Sequence, residues 1–297
     1  MPRFLLVLAL PLVCGALCAG ESYKVALEDA DVKAADLLIA QLGSTDFQTR
    51  TKAEAQLIEY GPGLRPQIEP LLKSGNTTLV AVAQRMLADP ALSLELTRVR
   101  ITLEHGTLEL VLYEDAAPNT VANFITLTER GFYDGLRFHK VVEQFMALTG
   151  DPTNTGKGGP GYRIADEINA DALGLDKLTA GELSKQSKQP APPAEVSKLF
   201  VKEVYARQGY VFTSGLKSLA VKRGMVAMFG ARPNSAGSQF FVATVDCPWL
   251  DGRHTVFGQV VKGLGLVDGL RINDRMVKVE VLYKRLPDYS VKKIEDK

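Results

Sequence analysis

The side chains able to do chemistry in this 297-residue sequence are sparse and scattered. Its three histidines, His105, His139 and His254, lie far apart, and separated histidines do not supply the clustered ligands that a metal ion needs. No G-x-S-x-G elbow presents a serine nucleophile. The run GKGGPG, Gly156 to Gly161, has dinucleotide-loop spacing, but such a loop must open a helix, and Pro160 followed by YRIADEI reads as a turn entering a strand. Gly150 to Lys157 is one residue too long for a phosphate-binding loop. Neither a metal nor any other cofactor is expected. What remains is FHKVVEQFMALTGD, residues 138 to 151, an apolar wall with Phe145 and Met146 and a single cation, Lys140. A cation held beside an apolar surface can donate a hydrogen bond where little water competes for it.

The elements that must position this wall read mostly as short strands. RVRITLEHGTLELVLYED alternates Val99, Ile101, Leu103 and then Leu108, Leu110, Leu112 around His105-Gly106, which predicts a hairpin. A helix follows over APNTVANFITLTERGFYDG, with Pro118 near its start and Gly131 past its end. Further strands are expected at 138–147, 225–229, 239–244, 255–261 and 277–283, with a short helix near 264–270. Many short strands with two helices predict a small closed antiparallel barrel capped at its ends. Residues 169–223 break the pattern: SKQSKQPAPPAEVSKLF reads as a linker inside a segment with room for one or two short helices.

Ahead of the strands lies a helical segment, 21–97, whose apolar spacing is helical from about Ala34 to Leu87, and a 30-residue shift superimposes Leu38 on Ile68, Leu42 on Leu72, Ala53 on Ala83 and Leu57 on Leu87. The segment resembles a short HEAT-like pair of helical hairpins; a plain four-helix packing unit is the other reading. Residues 1–20 hold Arg3, an apolar run from Phe4 to Leu17 containing Pro11, and small residues at Ala16, Cys18, Ala19 and Gly20. That is shorter than a membrane-spanning helix and predicts a signal peptide cleaved near Ala19 or Gly20, with an uncleaved anchor as the alternative. An exported protein, periplasmic or secreted, is the expectation, and after cleavage Cys247 is its one cysteine. With 35 Lys+Arg against 34 Asp+Glu the formal charge is +1, so neither nucleic acid nor, after cleavage, a membrane surface is expected as a partner.

Two separated blocks, RFHKVVEQFMALTGDPTNTGKGGPGY and RGMVAMFGARPNSAGSQFFVATVDCPWLDGRHTVFGQVV, resemble the signature blocks of the cyclophilin-type peptidyl-prolyl isomerases. PNTVANF and GFYDGLRFHK extend the resemblance, which covers about Val99 to Tyr283. It implies a domain over 98–286, with 287–297 as a tail, folded as an eight-stranded barrel with two capping helices. The implied activity is isomerisation of X-Pro bonds in peptides or unfolded proteins. By position, the resemblance implies a proline pocket of Phe145, Met146, Phe241, Leu250 and His254. Gln239 is then expected to bond the substrate backbone, with Phe229 and Gly230 at the rim and Trp249 where many members carry the tryptophan associated with cyclosporin binding. Read without the resemblance, Phe145, Phe241 and Leu250 are ordinary barrel residues and His254 ties a loop.

Three positions depart from the family pattern. Lys140 stands for the catalytic arginine, Leu148 for a glutamine that touches substrate, and Phe229 for a small residue. Lysine keeps the charge and the donor but lacks the planar fork of arginine. The resemblance therefore implies an isomerase of reduced activity, the alternative being a non-catalytic proline-peptide binding module or adaptor. A protein partner for the helical segment stays open.

Overall fold

The computed structural model describes residues 26–295; the signal-peptide reading at 1–20 lies outside them. The first described elements are helices α1 (Asp29–Gln41), α2 (Phe47–Ile58), α3 (Arg65–Ile68) and α4 (Thr77–Leu87). Asp46 caps α2 by accepting the Thr49 amide at 2.8 Å, and Asn76 caps α4 through the amides of Thr78 and Leu79. These helices bury Leu42, Leu57, Leu64, Ile68 and Met86 completely. The 30-residue offset relates α2 to α4, with Ala53 and Ala83 both buried. The counterpart of α1 is different: Pro62, Pro66 and Pro70 lack the amide that a continuous helix uses, and the chain breaks into α3 between two 3-10 turns. Leu72, the counterpart of buried Leu42, is 40% exposed as a result.

The remainder is built on β1 (Arg98–Leu103), β2 (Gly106–Leu112), α5 (Pro118–Glu129), β3 (Lys140–Val142), β4 (Met146–Thr149) and β5 (Tyr162–Arg163). Helices α6 (Ala180–Gln186), α7 (Ala194–Ser197) and α8 (Val201–Arg207) follow. The chain then forms β6 (Met225–Met228), β7 (Phe240–Ala243), β8 (Val256–Lys262), α9 (Leu264–Asp268), β9 (Met276–Tyr283) and β10 (Ile294–Glu295). Eight strands make one curled antiparallel sheet in the order β3-β4-β7-β6-β8-β2-β1-β9. Its concave face packs on Phe124, Tyr133, Phe138, Phe240 and Phe257, with Phe124 at 5.0 to 5.3 Å from three of the other rings. Beyond 286 the chain turns back, and β10 pairs with β5 in a separate two-stranded sheet.

The sheet is a half-barrel and not the closed barrel expected from the sequence. Its outer strands, β3 and β9, share no ladder. They approach through the turns at 134–138, where Gly135 has φ +79°; an isolated bridge between Arg137 and Arg275 and backbone hydrogen bonds between 135–138 and 273–276 join the edges without a ladder. The single strand expected over 138–147 is likewise a hairpin: Gln144 turns the chain at φ +53°, and the Phe145 amide donates to the Val142 carbonyl. The insertion holds three helices, and α6 opens on a capping box of Thr179 and Glu182. It has a small core of its own, including Leu175, Leu183, Val201, Tyr205 and Tyr210.

Candidate functional site

The hairpin β3-β4 presents two different faces because alternate residues of a strand point to opposite sides. In register, Lys140 stands opposite Leu148, Leu148 opposite Phe241, and Phe241 opposite Ala227. These four therefore form one row on the convex face, while Val141, Ala147, Val242 and Val226 form the adjoining row that faces the core. Lys140 is exposed at the end of its row, and its neighbours Leu148 and Phe241 are buried.

A second apolar cluster lies over the convex face. Met146, Leu148 and Phe241 are buried in it, and Phe145, Phe229, Trp249 and Leu250 pack at its margin half-buried. The Phe145 and Trp249 rings tilt together at 5.8 Å. His254 sits between two phenylalanines, stacked on Phe229 at 6.1 Å and edge-on to Phe241 at 5.4 Å. Its Nδ1 lies 3.2 Å from the Met228 carbonyl, and because a carbonyl only accepts, Nδ1 carries the proton. Burial pushes the His254 pKa down to about 4, against the upward pull of the Met228 bond, so the ring is neutral at physiological pH. Phe229 is tied to β7 by its own amide, which donates to the Gln239 carbonyl. Gly230 follows it at the rim, with the hydroxyl of Ser235 close by.

Gln239 is buried, and its Nε2 donates to the carbonyls of Gly156 and Gly158 at 3.2 and 2.9 Å. Its Oε1 has no protein partner among the described residues. The loop that Gln239 grips is wound about Asp151, which accepts the Thr153 amide and hydroxyl and the Gly156 amide. Burial pushes the Asp151 pKa up, but these bonds outweigh it and hold the carboxyl below its ordinary value. A groove of about 630 Å³ runs beside it, between Gly156–Arg163 and Phe229–Gln239.

The structure thus brings all ten expected site residues to the convex face of β3, β4, β7 and β6 and its rim. Sequence reasoning missed Asp151, which winds the loop that Gln239 holds. For Asp151 a signal existed: D-P-T-N-T-G is the kind of run whose aspartate turns back on its own backbone. Among the described residues no group of His, Cys, Asp or Glu could hold a metal, and no helix is long and apolar enough to cross a membrane.

The protein is thus built as a curled antiparallel sheet of eight strands with an aromatic cluster and a buried amide on its convex face. Residues 98–293 match the family model described as cyclophilin-type peptidyl-prolyl cis-trans isomerase, and the chain belongs to that family. It is 36% identical over 187 residues to a peptidyl-prolyl cis-trans isomerase-like 1 of Rhizopus delemar, covering 60% of this chain and 86% of that protein. A peptidyl-prolyl cis-trans isomerase of Synechococcus elongatus is 35% identical over 189 residues, 63% of this chain and 97% of its own. The crystal structure of a cyclophilin-type isomerase of Cryptosporidium parvum in the presence of the dipeptide Ala-Pro aligns at a TM-score of 0.44 and 24% identity, over 62% of this chain and 98% of that one.

Proposed function

We propose that this chain isomerises X-Pro bonds in peptides and unfolded proteins outside the cytoplasm, with Lys140 as its hydrogen-bond donor and with lower turnover than an arginine would support. An X-Pro amide is held planar by resonance behind a barrier of roughly 18–20 kcal/mol. In the twisted transition state the prolyl nitrogen regains its lone pair, which can then accept a hydrogen bond. A site lowers the barrier by holding the ring in apolar surroundings and aiming a donor at that nitrogen, with no nucleophile involved. Phe145, Met146, Phe241, Leu250 and neutral His254 supply the apolar hold. Oε1 of Gln239 accepts a substrate amide, while Gly230 offers its backbone at the rim.

The row Lys140-Leu148-Phe241 carries this reading, since it sets the one cation of β3 beside the pocket floor. Leu148 leaves nothing polar in that row to hold the ammonium, which supports reduced activity. Export rests on the residues before position 21 and on a chain whose one cysteine beyond them, Cys247, is free and buried. The α2-α4 offset supports a degenerate HEAT-like pair.

A protease-coupled peptide assay tests the function: catalysis above the buffer rate at micromolar protein is expected, and it should diminish in Lys140→Ala. A rate equal to buffer combined with measurable peptide affinity would instead establish the binding-module reading.

A further inference from the structure

We propose that the insertion at 169–223 is a positioning device that fixes the loop carrying Trp249, Leu250 and His254, and so sets how tightly the pocket grips its peptide. The inference rests on the site proposed above. The loop runs from Cys247 to His254 with its inner side on the pocket, where Trp249 meets Phe145 and His254 meets Phe241. Its outer side is covered by the insertion. The Arg253 guanidinium lies over the rings of Tyr205 and Tyr210, at 5.5 and 5.9 Å. The Tyr205 hydroxyl reaches the Trp249 carbonyl at 3.5 Å. Between them Gly252 is buried at φ +81°, and a Cβ there would lie 2.4 Å from Leu175 and 3.2 Å from the Tyr205 ring. Such an approach leaves room for glycine alone.

The far end of the insertion holds the same loop at two points. The Val221 amide donates to Asp251 at 2.6 Å, and the Val221 carbonyl accepts the Cys247 amide at 2.7 Å. A flexible spacer would leave this loop solvated. Here it is enclosed between two apolar clusters, so a shift of Tyr205 passes directly to Trp249 and Leu250.

The test uses the full chain and its one tryptophan, Trp249, as reporter. Tyr205→Ala is expected to raise KM for a Pro peptide roughly three- to tenfold, the worth of one cation–π contact and its packing, with kcat changed less. Trp249 emission should move to longer wavelength in the free protein. Tyr205→Phe keeps the ring and should stay within about twofold of the parent, since one long hydrogen bond contributes little. Arg253→Gln removes the cation without opening the insertion's core and should shift KM in the same direction. The proposal is overturned if Tyr205→Ala and Arg253→Gln lower the melting temperature but leave KM and Trp249 emission at parent values. Peptide Kd measured by Trp249 quenching reads the same coupling in a protein that binds without turnover, so failure of catalysis and failure of this inference are separable.

Discussion

Replacing Lys140 with alanine removes the single cation from the row Lys140-Leu148-Phe241 while leaving the pocket rings untouched. A charge-assisted hydrogen bond contributes about 1.5–3 kcal/mol. Lys140 is exposed and its row neighbours are apolar, so solvent weakens the bond and no group of its row orients the ammonium; the lower end of the range applies. About 1.5 kcal/mol corresponds to a drop in kcat/KM of roughly tenfold. KM should hardly change, because the bond forms only in the twisted state. Lys140→Arg should raise kcat by a few-fold, limited by Leu148, which gives the guanidinium nothing to bond. Adding Leu148→Gln should raise it further, by more than the product of the two single effects, since residues opposite each other in a ladder couple. The assay is protease-coupled isomerisation of a proline peptide, with peptide affinity measured alongside. If Lys140→Ala, Lys140→Arg and the double variant all turn over at the parent rate, Lys140 is not the donor and the mechanism is wrong.

Three further outcomes are expected. Because His254 stays neutral down to about pH 4, kcat/KM should show no step near 6.5 from this residue; its folded pKa is depressed, so stability present above 6.5 is lost as pH falls toward 4, by about 3 kcal/mol at this site, and His254→Gln should remove that loss in denaturant titrations. Asp251 has the opposite sign: burial raises its folded pKa to about 6, so it contributes about 3 kcal/mol at pH below 3.8 that disappears as pH rises through 6, and Asp251→Asn, whose amide oxygen can still accept the Val221 amide, should abolish this dependence. Gly150→Ala should cost more than about 2 kcal/mol in urea unfolding, since residue 150 has φ +87° and a Cβ there would lie 2.3 Å from the Ser238 carbonyl; a loss below 0.5 kcal/mol would contradict that geometry.

The strands of the fold were legible wherever one face meets the core and the other does not. Val99, Ile101 and Leu103 alternate because Arg100 and Thr102 point the other way. The same rule misled at 138–147, where alternation runs through the turn at Gln144, a residue that does not advertise a left-handed conformation as glycine would. Closure of the sheet was illegible because it depends on how the turns at 134–138 approach Asp274 and Met276, not on any strand's pattern. The insertion's core escaped notice since Leu175 and Tyr205 lie on opposite sides of the Lys/Gln/Pro stretch and only folding brings them together. Of the site, the rings and amides could be placed from two blocks of sequence. Of the supports, Asp151 left a local trace in D-P-T-N-T-G because its partners lie within five residues, whereas Arg253 left none because it acts on tyrosines of another segment.

Arg98 and Tyr283 stand opposite each other where β1 meets β9, although 185 positions separate them along the chain. The first and last strands of the eight-stranded sheet therefore begin and end side by side, like the leads of a plug. A circular permutant that joins the two ends by a short linker and opens an exposed turn elsewhere keeps every ladder of the sheet intact.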